Sequence, residues 1–154
     1  DFHLLHCVTV YPTPLEEAHL SRIAALQEIH PLVGYSDHSK PADTGLVASK
    51  AALALGASCI ERHFTILGPD ESRDGPVSVT PAMMRELREF ADLPADQRRA
   101  WMEGEVENLA ALLGRPDREL SHPELLNRDY YRGRFASSIG ERLVQNWEEW
   151  PEEA

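Results

Sequence analysis

Two short polar clusters follow apolar runs in this sequence: Ser36-Asp37-His38 after Val33-Gly34-Tyr35, and Glu61-Arg62-His63 after Cys59-Ile60. A hydroxyl, a carboxylate and an imidazole at the end of a buried strand are costly unless they are hydrogen-bonded or bind something. Two neutral imidazoles, His38 and His63, at the ends of neighbouring strands would leave coordination positions open for water and substrate. That arrangement suits a catalytic divalent metal better than a closed structural site. Asp37 and Glu61 are the neighbouring carboxylates expected to orient the rings. Each residue also has a duller reading. A strand-end histidine is commonly a hydrogen-bonded wall residue, Tyr11 can plug a barrel end, and Arg62 can point outward to a salt bridge. His3, His6, His19, His30 and His122 show no such pairing and read as structural or exposed.

The elements that must position these groups alternate. Residues 3–10 read as a strand ended by Tyr11-Pro12-Thr13-Pro14. Thr13 then looks like an N-cap, with Pro14 at the first helical position and Glu16 completing a capping box. Leu20, Ile23 and Leu26 give that helix an apolar face. A second strand runs over 31–35. A helix over 43–55 follows, with Gly56 as its left-handed cap, and a third strand spans 58–64. Leu5, Val33 and Ile60 are 28 and 27 residues apart, a short strand–helix period that predicts parallel βα units. In such architectures reactive groups gather at the carboxyl ends of the strands. Thr80 and Pro81 open a further helix with Met83, Met84, Leu87 and Phe90 on its apolar side. Beyond it the chain reads as helical, with a capping box at Ser121 and Glu124 and no expected strand. Two parts are expected: 1–91, built of βα units, and 92–154, a helical C-terminal extension with an acidic tail.

Composition narrows the classes. The chain has 154 residues, 42% hydrophobic and 27% charged, which is ordinary for a globular protein able to bury a core. A net charge of −11 argues against nucleic acid as a partner but not against an anionic small molecule met by a few local cations. No run approaches the roughly 18 apolar residues of a membrane span, and no leader is evident, so a cytoplasmic location is the default expectation. The start at Asp1, without an initiator Met, reads as a cut through a longer protein. Cys7 and Cys59 read as buried thiols packing as small hydrophobes.

Several motifs occur in the order and spacing of one known family. Leu4-Leu5-His6-Cys7, Tyr11-Pro12-Thr13-Pro14, Gly34-Tyr35-Ser36-Asp37-His38, Ala54-Leu55-Gly56-Ala57 and Ile60-Glu61-Arg62-His63-Phe64-Thr65 together resemble the sialic acid (N-acetylneuraminate) synthases over about residues 3–90. Those enzymes condense phosphoenolpyruvate with N-acetylmannosamine or a related amino sugar to make a nonulosonic acid. The resemblance implies an α/β fold of which this chain holds the last three βα units of a (β/α)8 TIM barrel. It also implies that His38 and His63 bind a divalent metal, usually manganese. By the same resemblance Ser36 contacts phosphoenolpyruvate, Tyr11 contacts the amino sugar, and Thr9 stands where an Asn or Ser faces phosphoenolpyruvate. The family's Gly-Pro-Asp matches Gly68-Pro69-Asp70 by letters, but the spacing between His63 and Pro81 favours Asp74 as the sugar-binding carboxylate.

The family's substrate-holding lysines and its antifreeze-like C-terminal domain are not recognisable here. Lys40, Lys50 and Arg73 are poor substitutes by position. The implied partners are therefore the substrates and a missing N-terminal barrel half, with a homodimer possible. The isolated chain is expected to be inactive. Two rivals remain at this stage: another metal-dependent sugar-converting barrel such as an isomerase, and a catalytically inactive half-barrel that serves as a binding or assembly module.

Overall fold

The structure is a computed structural model that describes residues 2–131, 136–139 and 142–145. Strands β1 (Leu4–Cys7), β2 (Val33–Asp37) and β3 (Ile60–Arg62) form a parallel sheet in that spatial order. Leu4 lies opposite Val33 and Cys7 opposite Ser36, while Asp37 lies opposite Arg62. Parallel neighbours need crossovers, and helices supply them: α1 (Arg22–Gln27) between β1 and β2, then α2 (Pro41–Thr44) and α3 (Val47–Ala54) between β2 and β3. The chain thus adopts the expected α/β class with parallel strands and intervening helices.

Local chemistry shortens the expected helices. The Thr13 hydroxyl donates to the Val10 carbonyl at 2.6 Å instead of capping a helix. Only a 3-10 turn, Leu15–Glu17, follows, and His19 takes a positive φ of 48° before α1 begins. The helix expected over 43–55 is split because Gly45, at φ 59°, turns the chain between α2 and α3. Gly56, at φ 93°, closes α3 in the left-handed conformation expected of it.

Strand alternation gives the sheet two unlike faces. Val33 and Tyr35 point to the helices, where they join Ile23, Ala48, Ala51 and Ala52 in a core that is essentially dry. The small alanines recur at helical spacing on one side of α3 and let it lie close to the strands. The other face carries Leu5, Cys7, Gly34, Cys59 and Glu61 and is far less covered. Neither cysteine is in a disulfide, and both are half-buried there, not the buried packing groups expected. Gly34 has no room for a side chain: a Cβ would overlap the Cys59 sulfur and lie 2.6 Å from Leu5 Cδ2.

Past β3, a parallel bridge joins Phe64 to Val79, so the intervening loop leaves and returns beside the sheet. Helix α4 (Pro81–Ala91) starts at Thr80, whose side chain accepts from the Met83 amide, and it buries Leu87 and Phe90. Met84, expected on that apolar side, is exposed instead. It lies a full 100° around the helix from Met83, whereas Met83, Leu87 and Phe90 form one stripe. Helix α5 (Ala95–Glu105) packs on α3, with Trp101 edge-on to Phe90. Helix α6 (Leu109–Leu113) is tied back through Leu112 and Leu113 carbonyls, which accept from the Leu20 and Ser21 amides. The first compact unit therefore runs to Arg118, past the boundary read at 91, and a second begins at Glu119.

In the second unit, α7 (His122–Tyr131) opens with the expected capping box, Glu124 accepting from the Ser121 amide at 2.9 Å. The expectation of no strand beyond residue 92 is corrected by an antiparallel pair, β4 (Ala136–Ile139) and β5 (Arg142–Gln145). Its sequence signal is a two-residue gap containing Gly140, the spacing of a tight hairpin. The acidic run at 147–153 and the basic Arg132-Gly133-Arg134 segment lie outside the described residues. Among the described residues no helix is long and apolar enough to cross a membrane.

Two outcomes test this packing. Gly34→Ala is expected to lower stability by about 1–3 kcal/mol in urea denaturation, the usual cost of overpacking a filled site. His6 is buried and its Nε2 donates to the Ala18 carbonyl at 2.7 Å. Burial lowers its pKa, partly opposed by that hydrogen bond. The unfolded chain then takes up a proton near pH 6.5 that the folded one refuses, so stability falls as pH drops through that value. His6→Gln should flatten this acid loss in denaturation midpoints taken from pH 7.5 to 5.5.

Candidate active site

His38 and His63 are the residues that immediately follow a register pair, Asp37 and Arg62, on adjacent parallel strands. The two imidazoles consequently meet, with ring centroids 5.4 Å apart and planes at 63°. Each ring is held from behind by a different kind of acceptor. His38 Nδ1 is 3.0 Å from the Val8 carbonyl. A carbonyl only accepts, so Nδ1 carries the proton and Nε2 keeps its lone pair. His63 Nδ1 lies 3.5 Å from the Asp74 carboxylate, which leaves its Nε2 on the outer side.

Burial holds the His38 pKa below its ordinary value. The hydrogen bond to Val8 works against that shift, and neighbouring His63 adds to it. The ring is only 4% exposed, so at neutral pH it is a neutral donor with its lone pair facing the site. Tyr11 packs against both imidazoles. Its ring stacks on His38 with centroids 4.0 Å apart and stands edge-on to His63 at 5.7 Å. The Tyr11 hydroxyl donates to His38 Nε2 at 2.9 Å. Ser36 Oγ is 3.5 Å from the same nitrogen and donates to Glu61 at 2.7 Å.

The structure thus brings Tyr11, Ser36, His38, His63 and Asp74 into contact with one another. Thr9 is exposed on the same rim, one residue past the Val8 carbonyl that holds His38. Asp74, preferred over Asp70 on spacing, is the loop carboxylate that reaches His63. It does so because Gly75 sits hard against the Pro69 carbonyl, where any Cβ would collide, which folds the loop back on itself.

The expectation that Asp37 orients the imidazoles is corrected. Asp37 points to the opposite face, where it pairs with Arg62 at 2.6 Å with both side chains fully buried. The period-two alternation already separates it from Ser36 and His38. Glu61 shares the imidazole side of the sheet but bonds Ser36. The orienting groups the sequence reading missed are the Val8 carbonyl, which has no side-chain signature at all, and Asp74, read there only as a sugar ligand. Arg62, read as pointing outward, is buried.

This donor set fits a divalent ion of borderline softness. Once the Tyr11 hydroxyl leaves His38, both imidazoles can present Nε2, and each is backed through Nδ1 by a carbonyl or carboxylate, the usual outer support of a metal-binding histidine. Among the described residues no group of three or more His, Cys, Asp or Glu is placed to hold a metal ion. An ion here would therefore take two ligands from these residues and keep its other positions open.

The description of the NeuB family matches residues 1–93. The chain is 46% identical over 86 residues to the N,N'-diacetyllegionaminic acid synthase of Campylobacter jejuni, a stretch covering 55% of this chain and 24% of that protein. Among solved structures it resembles the spore coat polysaccharide biosynthesis protein SpsE of Bacillus subtilis, with a TM-score of 0.63 and 28% identity, covering 93% of this chain and 42% of that one. It also resembles the N-acetylneuraminic acid synthetase of Leptospira borgpetersenii, with a TM-score of 0.54 and 30% identity over 84% of this chain and 39% of that one. The chain spans about a quarter of the length of the curated synthase it matches and about two fifths of the solved structures. The family match covers more than half of the sequence, and the chain belongs to the NeuB family.

Proposed function

We propose that the protein carrying this chain condenses phosphoenolpyruvate with an N-acetylated amino sugar to give a nonulosonic acid, with His38 and His63 holding a divalent ion, manganese by preference. The observation that carries the reading is the pair of imidazoles meeting at the carboxyl ends of β2 and β3, in a chain whose relatives are named as nonulosonic acid synthases. In the proposed reaction, C3 of phosphoenolpyruvate forms a bond to the sugar aldehyde carbon, whose oxygen becomes a hydroxyl. Water adds to C2, and inorganic phosphate leaves from that carbon. The bound ion supplies Lewis-acid polarisation of the aldehyde oxygen.

The chain's own residues supply position and charge. Burial keeps His38 neutral and the Val8 carbonyl holds its proton on Nδ1, so Nε2 can offer a lone pair to an ion once the Tyr11 hydroxyl turns away from it. Asp74, half-exposed and beside His63, can hold that ring while its free oxygen accepts from a sugar hydroxyl. Tyr11 borders the same space, and once its hydroxyl leaves His38 Nε2 it can meet the polar amide of an acetamido sugar. The Ser36 hydroxyl is committed to Glu61, so it must rotate away before it can donate to an anionic substrate. Thr9 stands close enough in sequence to the Val8 anchor to contribute a second hydroxyl on that rim. Positioning of this kind is worth several kcal/mol of a bimolecular barrier. A cytoplasmic setting, where phosphoenolpyruvate is made, belongs to the same proposal.

The test is phosphate release by the full-length protein supplied with phosphoenolpyruvate, Mn²⁺ and a panel of N-acetylated amino sugars. Release with at least one sugar is expected, and silence across the panel would overturn the synthase reading in favour of an isomerase or an inactive assembly module. His38→Ala and His63→Ala should each abolish Mn²⁺ binding at micromolar concentration in calorimetry and lower kcat by about 100-fold or more. Metal binding that survives both substitutions would remove the two imidazoles from the role of ligands.

A further inference from the structure

Behind the two histidines, on the helix-packed side of the sheet, lies a charged network with no exposed part. Asp37 Oδ2 and Arg62 Nη1 are 2.6 Å apart with both side chains at zero exposure. Asp37 also accepts from the Ser49 hydroxyl of α3 at 2.5 Å and, through its other oxygen, from the Ser39 amide at 2.8 Å. Arg62 donates to the Ser39 hydroxyl at 3.1 Å, to the Ser39 carbonyl at 3.0 Å and to the Val77 carbonyl at 3.2 Å. A single guanidinium therefore ties the turn after β2 to the end of β3 and to the returning end of the loop that carries Asp74.

Each anchor is adjacent to a group of the site. His38 lies between Asp37 and Ser39, His63 follows Arg62, and Val77 lies three residues past Asp74. Fixing the anchors fixes the backbone from which both imidazoles and the carboxylate project. Energetics point the same way. A buried ion pair is weak as a source of stability, because desolvation offsets most of its attraction, and its attested use is to specify one arrangement over others. Arginine suits this task because its planar fork reaches several acceptors at fixed angles, which a lysine cannot do.

We propose that Asp37 and Arg62 are positioning residues that set the separation and orientation of His38 and His63, and so the geometry of the metal-binding pair. The inference rests on the proposed two-histidine centre for its metal readout, and it carries a second readout that needs no metal. In the intact chain, Arg62→Lys keeps the charge opposite Asp37 but loses the three-way fork. It is expected to weaken Mn²⁺ binding about tenfold in calorimetry, the range typical of lost outer-shell support, with a changed Mn²⁺ EPR spectrum and a melting temperature close to wild type.

In the metal-free protein, NMR should show ring-to-ring proton contacts between His38 and His63 in the wild type, weakened or lost in Arg62→Lys. Ser49→Ala removes one donor to Asp37 without touching the strands and should give a smaller shift in the same direction. It also serves as the deciding variant if Arg62→Lys does not fold. Unchanged Mn²⁺ affinity together with unchanged ring contacts in the folded variants would overturn the proposal. If the wild type binds no Mn²⁺ while the ring contacts still depend on Arg62, the metal reading fails and the positioning role stands.

Discussion

The register between β2 and β3 is the constraint on which the site depends. Because the two strands are parallel and Asp37 lies opposite Arg62, the next residue on each is a histidine, and the two rings emerge side by side. A slip of one residue would turn every side chain of one strand to the other face, sending one imidazole among the helices. It would also strand a carboxylate and a guanidinium without each other in a dry core, at a cost of about 3–5 kcal/mol. The buried ion pair thus acts less as adhesive than as a lock on alignment, and the chemistry on one face inherits its order from the charges on the other.

The division of labour between the faces explains the shape of each strand. Toward the helices, Leu4, Val33, Tyr35 and Ile60 give β-branched and aromatic bulk that α1 and α3 cover. On the other side, Leu5 apart, the residues are small or polar: Gly34, Ser36, Cys7, Cys59 and Glu61. Gly34 lets β2 lie tight against the Cys59 and Leu5 side chains, a closeness any Cβ would forbid. The consequence is a shallow rim, with Tyr11 half-exposed, on which polar groups remain reachable while His38 itself stays buried enough to remain neutral.

Much of this was legible in the sequence, and the losses have physical causes. The strand–helix period of Leu5, Val33 and Ile60 exposed the parallel architecture because parallel strands cannot be joined by short turns. The histidine pair was legible because polar groups at the end of an apolar run demand a reason. What the letters did not reveal depended on backbone rather than side chain. The Val8 carbonyl that fixes the His38 tautomer is invisible in a sequence. His19 and Gly45 break helices by adopting positive φ, one without the usual glycine. The Thr13 hydroxyl found a nearer acceptor than the helix it was expected to cap. Asp37 was misassigned to the imidazoles because adjacency along the chain was allowed to outweigh alternation across the sheet. The β4–β5 pair was missed because a helical neighbourhood set the expectation for a segment whose Gly140, between Ile139 and the Leu143-Val144 pair, pointed to a hairpin.

Charge decides how far this part of the molecule can go toward the proposed reaction. Phosphoenolpyruvate is strongly anionic, and the chain carries −11. Its cations near the sheet are committed elsewhere: Lys40 to Asp43, Lys50 to Glu86, and Arg62 to Asp37. On the imidazole side of the sheet the carboxylates of Glu61 and Asp74 contact the site and repel an incoming phosphate, while Arg62 is held by Asp37 on the other face. A divalent ion on the two imidazoles reverses the sign of that field at short range, and field lines in a cleft are strengthened by low-dielectric walls. In the proposed reaction an ion on the imidazoles would thus favour the anion at this rim. On this account the carboxylates face a different ligand, the sugar, whose hydroxyls are donors. In the proposed reaction the ion would meet the anion and the carboxylates the hydroxyls of the sugar, with Tyr11, packed on both imidazoles, beside them.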